Sequence, residues 1–267
     1  MAEYKIRPLV VAKIGAVKGV ATHMVDMMTP VVVPVLAFYL EGGPQKILID
    51  TGVVSAGEDG TFHGFPLFNA GTQGMIEALA DIGLKPDDID IVIITHLHFD
   101  HAANINLFPQ AQFILQKKEW EYAQAPLPIQ RGVYMTEILG QLESFDLVLA
   151  EDGYEVAEGV NVICVPGHTK GQQAVVVNTS DGKYVVAGDL LYTYNNIYPE
   201  KDEIIDMFGN KIACTPQPGH AFYPPGIHTD LTDWYESVWR VLKIAGRRKH
   251  ILPGHDPALM GRVFPEK

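Results

Sequence analysis

Seven side chains with metal-binding chemistry can be picked out of the sequence: His96, His98, Asp100, His101, His168, Asp189 and His255. Four of them lie in Thr95-His96-Leu97-His98-Phe99-Asp100-His101, directly behind the apolar run IVIIT (91–95). A loop turning away from a buried strand lets His96 and His98 converge on one ion. Asp100 and His101 then face a second ion beside the first. Imidazole and carboxylate suit zinc first, with manganese, iron or cobalt as alternatives. Packed together without a cation, four such groups would leave donors and acceptors unpaired at roughly 1–3 kcal/mol each. Structural zinc sites normally draw on cysteine, and none is nearby. The expected chemistry is catalysis assisted by two divalent metal ions.

The other three candidates repeat one arrangement, a strand that ends in a polar ligand. VICVPGH ends in His168, KYVVAGD in Asp189 and HILPGH in His255. Pro-Gly before two of these histidines turns the chain sharply as it leaves the strand. A rigid sheet positions groups well at strand ends, where active sites are commonly built.

Elements able to hold such loops are plentiful. Short β-branched runs bounded by Gly, Pro or Asp predict strands at 9–13, 31–40, 46–50, 91–95, 112–116, 160–165, 173–178 and 183–188. Helical periodicity covers 71–83, with Met75, Leu79 and Ile82 on one face and Ile76 and Ala80 alongside. It also covers 132–143 and 231–246, the latter presenting Trp234, Val238 and Leu242. Strands cluster with only occasional helices between them, so sheets covered by helices are favoured over regular βαβ alternation. Stretches 54–72 and 195–230 lack clear periodicity and are long for plain connections, a length often tied to function. No linker divides the chain, which predicts a single domain over 1–267.

Composition narrows the function classes. With 47% hydrophobic and 19% charged residues, the 267-residue chain is globular in type and needs no structural metal or disulfide to fold. A formal charge of −12 argues against nucleic acid as a partner, because neutralising phosphates needs surplus Lys and Arg. The short basic cluster Arg247, Arg248, Lys249 reads as a solvated helix end. Cys164 and Cys214 form no disulfide framework and no CxxC pair. No run approaches the ~18–20 apolar residues of a membrane span, and the N-terminus lacks a clean signal-peptide core. The expectation is a cytoplasmic protein acting on a small molecule, with no membrane partner.

The ordered set HxHxDH, His168, Asp189 and His255 resembles the metallo-β-lactamase superfamily in its dinuclear hydrolase form. Asp50-Thr51-Gly52 after KILID looks like that superfamily's early DTG turn. The resemblance implies an α/β (α+β) fold, a four-layer αββα sandwich with two metals at one edge. It also implies that His96, His98 and His168 hold one ion and that Asp100, His101 and His255 hold the other, with Asp189 as bridge. True β-lactamases differ at the positions of His101 and Asp189. Glyoxalase II enzymes and flavodiiron proteins carry further C-terminal regions, whereas this sequence ends soon after His255. HLHFDHAAN, the spacing Asp189-Leu-Leu-Tyr192 and GHDPALMGRVFPE bring it nearer to the N-acyl-homoserine lactonases. In that family the tyrosine matching Tyr192 contacts the substrate carbonyl.

The implied activity is opening of a lactone ring by a hydroxide shared between the ions, with Tyr192 stabilising the carbonyl oxygen and Asp100 shuttling a proton to the leaving alkoxide. Another ester, thioester, cyclic amide or phosphoester is the alternative substrate on the same site. An iron-dependent oxygenase is the redox alternative. Phe62, Phe65 and Phe68, with Met24, Met27 and Met28, suit either a pocket for an acyl chain or core and homodimer contacts. The 217–228 stretch departs from the short lactonase pattern and reads as a stiff loop capping the pocket. Its His220 and His228 are expected to bond within the loop rather than to bind metal.

Overall fold

Apolar residues run nearly unbroken along the inner strands, so each sheet carries two hydrophobic faces. Both faces of both sheets are covered in the computed structural model, which describes residues 2–266. The first sheet is made of β1 (Lys5–Val17), β2 (Pro30–Glu41), β3 (Ile47–Ile49), β4 (Thr61–Phe62), β5 (Phe65–Phe68), β6 (Ile91–Ile93), β7 (Gln112–Gln116) and β8 (Asp146–Ala150). Side by side they run β4-β5-β1-β2-β3-β6-β7-β8. The second sheet contains β9 (Glu155–Ala157), β10 (Val160–Cys164), β11 (Gln173–Thr179) and β12 (Gly182–Val186). A separate hairpin pairs β13 (Glu203–Ile205) with β14 (Lys211–Ala213). Finally β15 (Ile251–Leu252) joins the second sheet, giving the order β15-β12-β11-β10-β9. The helices are α1 (Lys18–Ala21), α2 (Thr72–Ala80), α3 (Lys117–Ala123), α4 (Thr136–Leu142), α5 (Tyr194–Ile197) and α6 (Leu231–Ala245).

Side-chain alternation sorts these elements into layers. Leu36, Phe38 and Leu40 of β2 face Val160, Val162, Val175 and Val177 of the second sheet, forming the core between the sheets. The intervening Val33, Val35 and Ala37 point the other way, into a core shared with Met75 and Leu79 of α2 and Ile138 and Leu142 of α4. On the far side, Ala174, Val176 and Val185 pack against Trp234, Val238, Val241 and Ala245 of α6. Each fully buried side chain of this size contributes roughly 1.5–3 kcal/mol. The result is the four-layer αββα sandwich.

Helix α6 has clear signals at both ends. Asp230 caps it by accepting from the backbone N–H groups of Thr232 and Asp233 at 2.8 and 3.0 Å. Gly246 ends it in the left-handed region at φ 71°. Arg247 and Lys249, just beyond, pair with Asp181 at 3.8 and 3.2 Å, as a solvated helix end would.

Several elements differ from their sequence expectation. The strand expected at 9–13 extends over Lys5–Val17, because twelve positions of β1 pair with β2 across one irregularity at Val10/Ala12. Pairing carries the strand through the polar Lys5, Arg7 and Lys13. The helix expected at 132–143 covers only Thr136–Leu142. Ile76 and Ala80 of α2 lie on the exposed side, opposite the buried Met75 and Leu79. Stretch 54–72 contains the β4–β5 turn, and stretch 195–230 contains most of α5 and the β13–β14 hairpin.

Strand direction explains why distant loops meet. Neighbours β3 and β6 are parallel, so Asp50 and His96 leave the first sheet at the same edge. Likewise β12 and β15 are parallel, bringing Asp189 beside His255. Both β10 and β12 run antiparallel to β11, so the loop with His168 emerges at that end too.

Candidate metal centre

At that edge the seven candidate ligands gather into two clusters. His96, His98 and His168 form one, and Asp100, His101, Asp189 and His255 form the other. Within each cluster the ligand atoms lie within 4.8 Å of one another, and all seven residues are buried. Asp189 reaches towards both: its Oδ1 is 3.1 Å from His101 Nε2 and 2.9 Å from His255 Nε2, and its Oδ2 is 3.6 Å from His168 Nε2. Asp100 lies 3.9 Å from the Nε2 atoms of both His101 and His255. His98 Nδ1 and His168 Nε2 are 3.0 Å apart.

Four of the five histidine rings are oriented from behind. His101 Nδ1–H donates to Asp50 Oδ2 at 2.8 Å, His168 Nδ1–H to the Ile227 carbonyl at 3.1 Å and His255 Nδ1–H to the Pro34 carbonyl at 2.9 Å. Thr95 Oγ1 donates to Asp50 Oδ2 at 2.8 Å, which leaves it to accept from His96 Nδ1–H at 3.1 Å. Backing of this kind fixes the tautomer of a metal-binding histidine and raises its basicity. Asp50 achieves its position at a cost, because its backbone takes φ 62° in the left-handed region.

The front of the site has no such satisfaction. His96 Nε2, His101 Nε2, His255 Nε2 and Asp189 Oδ1 are buried with no hydrogen-bond partner. Some are close to one another, yet none has the direction a hydrogen bond needs. Protonation is correspondingly strained. Burial and the neighbouring histidines hold His96 and His98 well below the usual imidazole range. Burial alone would also lower His101 and His255, but the Asp189 carboxylate, together with Asp100 and, at His101, Asp50, outweighs it and raises both. Burial opposes charge on Asp189, and the facing His255 and His101 outweigh it, holding this carboxyl well below its usual range. Cations in the two clusters would satisfy the orphaned atoms and replace the protons on His101 and His255. The residues present therefore fit two divalent ions.

A cavity of about 440 Å³ opens onto both clusters, reaching His98, Asp100, His168, Asp189 and His255. Tyr192 also lines it, its ring stacked on His255 at 5.3 Å and edge-on to His168 at 5.8 Å. Burial and the Asp189 and Asp100 carboxylates raise the phenol well above its usual range, keeping it protonated and able to donate. Most of the remaining wall is apolar and includes Ile14, Val17, Val31, Val33, Phe65, Val133 and Ile227.

Other residues singled out from the sequence separate here. Of the three phenylalanines, Phe65 lines the cavity, Phe62 packs on Phe99 at 4.8 Å, and Phe68 meets Phe208 at 6.0 Å in a neighbouring groove. Met24, Met27 and Met28 are 71%, 53% and 82% exposed and do not line the cavity, so they are neither core nor pocket. The 217–228 loop does reach the cavity through Gly226, Ile227 and His228. His228 donates from Nδ1 to the Pro225 carbonyl at 3.0 Å, and His220 packs against Tyr223; neither belongs to a cluster. The loop's unforeseen role is the Ile227 carbonyl behind His168. Cys164 and Cys214 are both free and buried.

Fold, edge site and ligand order together define the class. The chain belongs to the metallo-beta-lactamase superfamily, whose sequence profile matches residues 30–255. Among its relatives, the N-acyl homoserine lactonase of Bacillus cereus is 31% identical over 176 residues, which is 62% of this chain and 68% of that protein. The N-acyl homoserine lactonase of Agrobacterium fabrum is 29% identical over 193 residues, 69% of this chain and 65% of that one. A solved N-acyl homoserine lactone hydrolase, with the product N-hexanoyl-L-homoserine at its catalytic metal center, superposes with a TM-score of 0.78 at 25% identity. That match covers 100% of this chain and 99% of the other. Among the described residues no helix is long and apolar enough to cross a membrane.

Proposed function

We propose that this protein is a dinuclear metallohydrolase that opens the ring of N-acyl-homoserine-lactone-like substrates. One observation carries the reading: an apolar cavity ends on seven clustered ligand groups with the Tyr192 phenol beside them. The lactonase relatives and the product held by the solved hydrolase support it. When bound, two divalent ions supply a water activated at neutral pH and a Lewis acid for a carbonyl oxygen. In this assignment His96, His98 and His168 would hold one ion, Asp100, His101 and His255 would hold the other, and Asp189 would serve both. The Tyr192 hydroxyl donates to the carbonyl oxygen as negative charge develops there. Asp100, the most exposed of the seven at 9%, carries a proton to the departing alkoxide. Apolar walls exclude water and seat the acyl chain.

The direct test assays metal-loaded protein against N-acyl lactones, a thioester, a cyclic amide and a phosphoester, with oxygen uptake followed alongside. Lactone opening is expected, abolished by chelation and by His101→Ala. Metal-independent opening, or oxygen uptake without opening, would sink the reading. Tyr192→Phe should lower kcat by about 10–10²-fold with both ions retained; an unchanged kcat removes the hydroxyl from the mechanism. Chain length offers a further check. Each methylene buried in the cavity is worth about 0.8 kcal/mol, so KM should fall roughly fourfold per methylene until the cavity is filled. A KM indifferent to chain length would place the acyl group in solvent.

Zinc as resident ion is supported by the imidazole-rich donor set, and elemental analysis of gently purified protein checks it. A cytoplasmic location is supported by the two unpaired thiols, with fractionation as its test. The exposed Met24, Met27 and Met28 support a homodimer; sedimentation as a monomer would exclude it.

A further inference from the structure

Behind the metal clusters sits a second buried carboxylate group, on Glu119 of α3, with no solvent exposure. Among the described residues no cation pairs with it, and it is satisfied entirely by four neutral donors. Its Oε1 accepts from the Leu97 backbone N–H and the Tyr134 hydroxyl, both at 3.0 Å. Its Oε2 accepts from the Thr169 hydroxyl at 2.6 Å and the Gly171 N–H at 3.2 Å.

The location of these donors is informative. Leu97 stands between His96 and His98, Thr169 follows His168, and the Tyr134 ring packs edge-on against His98 at 4.9 Å. One carboxylate thus grips the chain beside every histidine of the first cluster. The second cluster is backed elsewhere, by the Pro34 carbonyl and by Asp50, which also reaches His96 through Thr95. The grip is also close: a Cβ at Gly171 would lie 2.0 Å from the Glu119 backbone nitrogen, so the turn after His168 meets α3 at a distance only glycine permits.

We infer that Glu119 is a positioning residue for the first cluster alone, holding the two histidine loops at the separation one ion requires and so setting that ion's affinity independently of the other's. The inference rests on the dinuclear reading above. Exchange for glutamine keeps the shape but replaces one acceptor oxygen with an amino group. At either end of the side chain that group meets a backbone N–H donor to donor, Gly171 or Leu97, and forces a hydroxyl, Thr169 or Tyr134, to turn. The tie between the His168 loop and the His96–His98 loop is weakened in both cases.

The test counts bound metal after equilibration with a competing chelator, in wild type, Glu119→Gln, His255→Ala and the double variant. Wild type is expected to keep two ions and each single variant about one. The double variant should keep none, because the two changes strike different clusters. The first-cluster affinity of Glu119→Gln should fall about 10–100-fold. Tyr134→Phe and Thr169→Val, each removing one donor, should show smaller losses of the same ion, which keeps the inference testable should Glu119→Gln fail to fold. Two ions retained by Glu119→Gln with wild-type chelator resistance would reduce it to a fold-stabilising group and overturn the inference. A double variant that still keeps one ion would overturn its restriction to the first cluster. Wild type binding no metal would instead overturn the dinuclear reading and this inference with it.

Discussion

Replacing Asp189 with alanine is expected to lower kcat/KM for lactone opening by about 10³-fold and to reduce the retained metal from two ions to one or none. The carboxylate lies within 3.6 Å of the Nε2 atoms of histidines from both clusters. Its loss leaves His101 and His255 facing each other without the negative charge that now lies between them. Two cations held close together would then repel across the gap with no shared anion. The surroundings are built around this one side chain. A Cβ at Gly254 would come 2.8 Å from Asp189 Oδ1, so the turn before His255 accommodates the carboxylate by carrying no side chain. Tyr192 follows three residues later and lines the same cavity. Steady-state kinetics with metal analysis of the same sample reads both effects. Full metal content with near-parental turnover would show that Asp189 is neither bridge nor charge screen.

The candidate ligand loops were legible because each lies directly behind an apolar run that can only be a buried strand. His96 after IVIIT and Asp189 after KYVVAG needed no knowledge of the tertiary structure beyond the strand's end. The residues that orient them were not legible in the same way. Asp50 is visible in the DTG turn, but its bond to His101 joins positions 51 apart and depends on β3 lying parallel to β6. Glu119 sits in KKEWEYA, which reads as an ordinary charged helix face. Its burial follows from donors 15 to 52 residues away. Main-chain partners such as the Pro34 and Ile227 carbonyls carry no side-chain signal at all.

Fold elements divide on similar lines. Amphipathic α2 and α6 and the inner strands follow from periodicity, since one-sided burial is what periodicity encodes. Strand β8, at the far edge of the first sheet, and hairpin β13–β14 escaped notice. Strand β8 is only partly buried, the hairpin is largely exposed, and both are defined by their pairing. Lys18 shows the reverse case. It reads as a surface residue but is 1% exposed, with Nζ 2.9 Å from Asp26 Oδ2 and 3.2 Å from Thr22 Oγ1. Only the return of the 22–29 segment over α1 supplies those partners.

The second large effect expected is on stability, from Trp234→Ala in α6. This side chain has no solvent exposure and lies in the core between the second sheet and the helix. Removing a buried tryptophan costs about 3–5 kcal/mol through lost burial and the cavity left behind. Its indole N–H also donates to the Leu190 carbonyl at 2.6 Å, and orphaning that acceptor adds roughly 1–3 kcal/mol. In a chain of this size the unfolding midpoint should drop by on the order of 10 °C. Leu190 follows Asp189, and a Cβ at Gly167 would lie 2.6 Å from the Trp234 Cα, so α6 packs directly against the loops carrying Asp189 and His168. The defect should therefore reach the metals as well. Trp234→Phe helps separate the two causes: it retains most of the buried volume while losing the hydrogen bond, so a smaller loss, about 1–3 kcal/mol for the orphaned acceptor, is expected. Thermal unfolding of metal-free and metal-loaded samples measures both. If the alanine variant loses stability equally in the two forms, α6 supports the sheet alone; a larger loss in the loaded form shows that it also supports the centre.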